Sequence, residues 1–248
     1  MFRRFFYIVL IFSLCVIADA VQQPYYLTKC VKDDPDVNEC LIHSGNRLIE
    51  FLRKGVPELD IIDVEPVIID EISISLGTGP DAYKSTFKNV EAYGVSNLTL
   101  TNVRSDIDSL QYQLTFEIPR IVVSANYDSS GVLLLVKASG KGDYWGEYEN
   151  VKAKVYFKAI PAYEENGLTY MTVETAKLDF SVKDIRMGVE NLEQGNAVLQ
   201  AALNLFINTN SQELLKEMKP DLRSKLTQIM EQFMNRLFEK IPLEQWHD

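Results

Sequence analysis

Apolar and polar residues alternate through the middle of this chain and fall at helical spacing near both ends. From Val67 to Leu76, Ile68, Ile72, Ile74 and Leu76 are set among polar residues, with only Asp70 out of step. That two-residue period is the mark of a half-buried strand. Further strands are predicted at Phe87–Val95, Leu98–Val103, Tyr112–Ile118, Ile121–Tyr127, Val132–Ala138, Tyr144–Ile160, Tyr170–Val182 and Ile185–Val189. The connections are short, such as the turn Gly77-Thr78-Gly79-Pro80-Asp81. Short connections imply antiparallel pairing, because parallel strands need crossovers of a dozen residues or more.

Helical spacing governs Asn38 to Lys54, where Leu41, Leu48, Phe51 and Leu52 share a face and Gly55 and Pro57 end the run. It returns after Gly195. Val198, Leu199, Ala202, Leu203, Leu205 and Phe206 form one stripe, interrupted at Asn208-Thr209-Asn210. Asn210 and Glu213 have the spacing of a capping box, and Pro220 suits a kink or a fresh first turn. Leu222, Leu226, Ile229, Met230, Phe233, Met234, Leu237 and Phe238 then recur at three- and four-residue steps, stopping before Pro242. A stripe this wide suits a concave β surface. The pattern therefore predicts an α+β fold, with a long two-part C-terminal helix facing a large antiparallel sheet.

Residues 1–20 follow another rule. Arg3 and Arg4 precede an apolar run from Phe5 to Ala18, and Ala18-Asp19-Ala20 offers small residues for cleavage. The run is shorter than the ~20 residues a membrane span requires, so it reads as a secretory signal peptide. What remains, residues 21–248, has no linker tract or repeat and is expected to be one exported domain. Its charge changes the list of partners. The 248-residue chain carries a net −10, and losing Arg3, Arg4 and Asp19 takes it to −11. Such a surface repels phosphate, which excludes nucleic acid as a partner class. Two cysteines, Cys30 and Cys40, survive cleavage and are expected to pair in an oxidising compartment. Asn97-Leu98-Thr99 is a glycosylation sequon at Asn97.

Reactive chemistry is scarce. No Gly-x-Ser-x-Gly elbow, Cys-x-x-Cys or His-Glu-x-x-His occurs, so neither a nucleophile system nor a metal site is expected, and no cofactor. His43 reads as a surface residue of the first helix and His247 as part of a frayed tail. Gly140-Lys141-Gly142 and Gly146 lack the following helix that a phosphate loop needs, and read as turn and bulge residues of a hairpin. Paired carboxylates remain conceivable in so acidic a chain, but only Trp145 and Trp246 could serve as tryptophan platforms for a sugar. What is left is apolar capacity, including the unbroken run Val132 to Val136. The same periodicities describe either a packed core or an elongated cavity.

Four segments, in order, resemble the takeout and juvenile-hormone-binding proteins, secreted insect carriers. They are Cys30…Cys40 with Asn38-Glu39-Cys40-Leu41; Gly55-Val56-Pro57-Glu58-Leu59-Asp60 leading to Val64-Glu65-Pro66; Phe87-Lys88-Asn89-Val90 with Gly94-Val95-Ser96; and Leu133-Leu134-Leu135 through Gly140-Lys141-Gly142-Asp143 to Gly146 and Asn150-Val151. The helical end Leu237-Phe238-Glu239-Lys240-Ile241-Pro242 is similar too. The resemblance implies a long helix wrapped by a strongly curved antiparallel sheet, enclosing an elongated hydrophobic tunnel for a terpenoid, fatty-acid-like or other lipid ligand. It also implies an N-terminal arm, pinned by the disulfide, that gates the tunnel. The single cysteine pair favours the takeout branch.

On this reading the wall candidates are Phe116, Ile118, Val122, Leu133 and Leu135 from strands, and Leu203, Phe206 and Phe233 from helices, with Tyr127 as a polar anchor. The expected function is a monomeric, extracellular, non-catalytic carrier whose partner is a small hydrophobic ligand, without membrane insertion. Two rivals are an interaction protein with a filled tube that signals through a receptor, and a carboxylate-dependent hydrolase.

Overall fold

The computed structural model describes residues 23–77, 79, 82–133, 136–137, 139–164, 167–192 and 197–248; the expected leader at 1–20 lies outside them. A helix, α1 (Val37–Leu52), precedes the strands β1 (Val67–Leu76), β2 (Tyr83–Tyr93), β3 (Thr99–Asp106), β4 (Gln111–Ser130), β5 (Val132–Leu133), β6 (Val136–Lys137), β7 (Gly140–Tyr163) and β8 (Thr169–Glu190). Three helices close the chain: α2 (Ala197–Thr209), α3 (Ser211–Phe238) and α4 (Leu243–Trp246). One antiparallel sheet has the order β1-β2-β4-β7-β8, with β3 added alongside β4. The strand expected over Val132–Ala138 is instead, where described, the two-residue ladder of β5 and β6. At 24 residues, β7 extends for about 80 Å.

The sequence divides β4 and β8 into two strands each, and the structure shows why. Residues Pro119, Asn150 and Lys183 lie in one row across β4, β7 and β8, and the ladder skips all three. Pro119 has no N–H to donate, and Asn150 adopts a left-handed φ of 53°. On one side of the row the inward residues of β4 are Tyr112, Leu114, Phe116 and Ile118; on the other they are Ala125, Tyr127 and Ser129. The inner face thus changes from even to odd positions while the strand pairing holds its register. An alternation count read straight through takes this for a break.

The open edge of β8 is closed by side chains. Val189 N–H donates to Asn204 Oδ1 (2.8 Å) while Asn204 Nδ2 donates to Val189 O (3.0 Å). Asn208 repeats this at Met187, at 3.1 and 2.7 Å. Farther along, Gln212 donates to the carbonyls of Val182 and Lys183, Arg223 Nε to Leu178 O, and Val173 and Thr169 N–H donate to Asn235 and Glu244. The β1 edge has Ser75 N–H on Asp221 Oδ2 (3.0 Å), and the β3 edge has Asn46 making a two-way amide pair with Leu100. Unpaired strand edges invite association with other chains, so these bonds seal as well as hold.

α2 and α3 are separated by Asn210 alone, and the helix runs through Pro220 without restarting. The expected capping box does not form. Asn210 Nδ2 instead donates back to Phe206 O (2.8 Å), so the side chain is committed to the end of α2. The glycines 140, 142 and 146 are strand residues of β7 rather than turn or bulge residues, since the β4–β7 register runs unshifted past them. Close packing explains two of them: a Cβ on Gly142 would lie 2.4 Å from Glu190 O, and one on Gly146 would lie 2.8 Å from the Tyr144 hydroxyl.

The C-terminal residues are fastened rather than frayed. Cys30 N–H donates to Trp246 O (3.0 Å), Asp248 N–H reaches Cys30 O (3.4 Å), and His247 is only 7% exposed. The Cys30–Cys40 disulfide ties this segment to α1, and Ser44 exchanges hydrogen bonds with the Thr28 backbone at 3.0 and 2.6 Å. Constraining so short a loop stabilises by about 2–3 kcal/mol.

Two predictions follow from this packing. Asn204→Ala and Asn208→Ala each leave a strand N–H and C=O without partners, and urea unfolding should register a loss of about 1–3 kcal/mol for each. Burial also holds the His247 imidazole below its ordinary range. The unfolded chain therefore takes up this proton first, and stability falls as pH drops below about 6.5. Melting temperature against pH should show that decline, and His247→Gln should flatten it.

Candidate functional site

Where α2 meets α3, the helices cover the inner face of the sheet and leave a part-open cavity of about 50 Å³. The helices contribute only apolar groups to its wall: Leu203, Ile207, Leu214 and Met218. The sheet side is chemically different. Tyr83 and Ser85 from β2, Tyr127 and Ser129 from β4, and Tyr144 from β7 bring five hydroxyls to it, among Ile74, Phe87, Met187 and Val189. Strand geometry accounts for the grouping, because Ser85 stands opposite Ser129 and Phe87 opposite Tyr127 in the β2–β4 register.

Ser129 and Tyr144 engage their hydroxyls within the protein. Ser129 Oγ donates to Gly140 O (3.3 Å), and Tyr144 is hydrogen-bonded to Tyr148 and donates to Met187 Sδ at 3.5 Å. Ser85 Oγ is buried without a hydrogen-bond partner. Burial pushes the Tyr127 phenol up to about 12 and holds Tyr144 well above its usual value. Both therefore stay protonated at neutral pH, as hydrogen-bond donors rather than phenolate nucleophiles. The chamber suits an apolar body with an oxygen function turned toward the sheet.

A second depression, a groove of about 390 Å³, lies at the far ends of the same strands, between Ile107, Leu110, Pro161, Tyr163 and Leu243. Its charged rim is occupied internally. Lys32 pairs with Asp108, Glu244 accepts from Thr169 N–H, and Asp248 accepts from Lys32 N–H. Among the described residues, no group of three or more His, Cys, Asp or Glu could hold a metal ion. No described helix is long and apolar enough to cross a membrane.

Of the residues expected at the site, Tyr127 and Leu203 line the cavity. Phe206 packs nearby against the Ile185–Met187–Leu214 cluster. Phe116 and Phe233 pack against other core clusters, and Ile118 is buried without lining the cavity. Val122 is 38% exposed and faces outward, because the row at Pro119 transfers the inner face to odd positions. Leu133 is placed by its backbone in β5, and Leu135 lies outside the described residues. His43 and Asn97 are exposed, and the disulfide between Cys30 and Cys40 is formed.

Sequence reading missed Tyr83, Ser85, Ser129 and Tyr144. The serines sit at positions that alternation treats as solvent-facing. Only Tyr144-Trp145-Gly146-Glu147-Tyr148, two tyrosines flanking a glycine, carries a local sign. Ser85→Ala removes a hydroxyl that is buried unpaired, so urea unfolding should show stability unchanged or raised by about 1 kcal/mol. A clear loss would mean that the hydroxyl has a partner.

Known proteins share this architecture. The profile of the haemolymph juvenile hormone binding protein family matches residues 8–248. "Circadian clock-controlled protein daywake" of Drosophila melanogaster is 22% identical over 232 residues, covering 91% of this chain and 88% of that protein. Its Drosophila yakuba counterpart is 22% identical over 214 residues, covering 84% and 82%. The crystal structure of Epiphyas postvittana Takeout 1 superposes with a TM-score of 0.77 at 19% identity, over 89% of this chain and 99% of that one.

Proposed function

The chain belongs to the haemolymph juvenile hormone binding protein family, and from that premise we propose that it is an exported, non-catalytic carrier of a small hydrophobic molecule. The cavity between α2, α3 and the sheet carries the reading: a part-open apolar chamber with neutral hydroxyls on one wall. Apolar area supplies about 25 cal/mol per Å² before the costs of association, so shape and area suffice for binding. The hydroxyl wall orients the ligand, with Tyr127 and Ser85 meeting its oxygen function. Phe206, packed beside the cavity against the Ile185–Met187–Leu214 cluster, continues its apolar wall. Residues 1–20 act as the leader, and Asn97 is the glycan acceptor.

A chamber of about 50 Å³ is far below the ~300 Å³ of ordinary ligand pockets. Uptake therefore requires neighbouring groups to yield, and Met187 and Met218 are the adaptable ones in its wall. The same small volume favours a second reading, in which the tube is filled by its own side chains and the protein acts through a receptor.

Purification of the secreted protein, followed by native mass spectrometry and solvent extraction, separates the two. The carrier reading expects a chain beginning near Val21, heavier by an enzyme-removable glycan, that releases a hydrophobic molecule or takes up an apolar fluorophore. Repeated failure to yield a lipid or to bind any such probe would sink it and leave the receptor reading.

A further inference from the structure

The cavity ends against a bar of side chains that crosses the tube. Phe87 of β2 meets Tyr144 of β7 edge to face, with ring centroids 5.0 Å apart. The Tyr144 hydroxyl is hydrogen-bonded to that of Tyr148, four residues on, and reaches Met187 Sδ of β8. Gly146 makes this possible: a Cβ there would stand 2.8 Å from both the Tyr144 hydroxyl and the Tyr148 ring. Without that atom, the two rings lean together over the strand and unite their polar ends. The contacts thus run from β2 through β7 to β8, and Met218 of α3 packs against the same groups from the helix side.

The two sides of this bar differ. Phe87, Tyr144, Met187 and Met218 all line the cavity, whereas Tyr148 stands behind them. Beyond it the tube is packed by a ladder of rings: Tyr112 stacks on Phe157 at 5.0 Å, Phe157 meets Phe238 at 5.8 Å, and Phe238 meets Trp246 at 6.0 Å. Two phenol groups paired in an apolar interior are also costly to separate, because each loses a partner that water cannot replace. A ligand tail entering from the α2 end therefore meets flexible methionines first and a hydrogen-bonded aromatic barrier next.

We propose that the Tyr144–Tyr148 pair, seated over Gly146, partitions the tube and sets the ligand's length, so that the cargo is a compact or medium-chain oxygenated apolar molecule. This rests on the carrier reading and adds the class of ligand to it. From Glu190 to Ile185, the β8 partner of Tyr148, the strand covers about 16 Å. That stretch is the compartment available to the ligand, and a long-chain lipid would overrun it.

The test is a chain-length profile. Saturated fatty acids from octanoic to octadecanoic displace an apolar naphthyl fluorophore from the full secreted protein, from Tyr148→Ala and from Tyr148→Leu. The leucine variant keeps apolar bulk and removes only the hydroxyl and the ring's reach, so it serves if the alanine variant does not fold. In the unaltered protein, affinity should climb to about dodecanoic acid and gain nothing beyond, since each buried methylene adds favourable transfer only while space lasts. In the variants, affinity for octadecanoic acid should rise about tenfold or more, with dodecanoic acid little changed. An affinity that rises through octadecanoic acid in the unaltered protein overturns the partition, as does the same cutoff in the variants. In both cases the carrier reading survives. If no form binds the fluorophore or any acid, both readings fall together.

Discussion

The architecture depends on a match of pitch between one helix array and one strand edge. From Asn204 to Glu244 the C-terminal helices advance about 60 Å at 1.5 Å per residue, and β8 from Val189 back to Thr169 covers about 66 Å. Asn204 and Asn208 are four helical residues apart, about 6 Å, and they serve Val189 and Met187, two strand residues apart, about 6.6 Å. Each asparagine presents to a strand what a neighbouring strand would present, one acceptor and one donor. The sheet therefore ends against a helix without orphaned peptide groups, and the helix is held along its length rather than only by its greasy face.

Because the helices are fixed at the edge, their apolar side chains turn over the concave face and roof it. The chamber inherits its asymmetry from that arrangement. The helical roof offers only aliphatic and thioether groups, while the strands beneath offer hydroxyls: the parity change at Pro119 brings Tyr127 and Ser129 inside, and Ser85 of β2 stands opposite Ser129. Burial then keeps the tyrosines neutral, and the site is one of donors and surfaces rather than nucleophiles. The far pole is closed by different means, with the Cys30 segment, α1 and the Trp246–Asp248 stretch bound to one another.

Much of this was legible in the sequence. The exact span of β1, the extent of α1 and the broad apolar stripe of the long helix all follow from periodicity. The single sheet order and the curvature do not, because pairing partners leave no local trace. Val122 illustrates the failure most simply: alternation places it with Phe116 and Ile118, and one proline with one left-handed asparagine turns it outward. Ser85 fails in the opposite sense, being polar and yet buried to 2%. Asn208 looked like part of a helix interruption in the sequence, since amide side chains compete with helical backbone. In the fold, that same capacity is spent on the backbone of β8.

The pairing of helix and strand also restricts how a fold of this kind can change its length. Adding one residue to α2 would rotate every later edge-facing side chain by about 100° away from β8. Adding one to β8 would turn its outward peptide groups inward. Only concerted steps keep the seam intact, with about four helical residues for every two in the strand. Such a protein lengthens or shortens in whole increments of about 6 Å, so the capacity of its interior is quantised by hydrogen-bond geometry before any side chain of the lining is chosen.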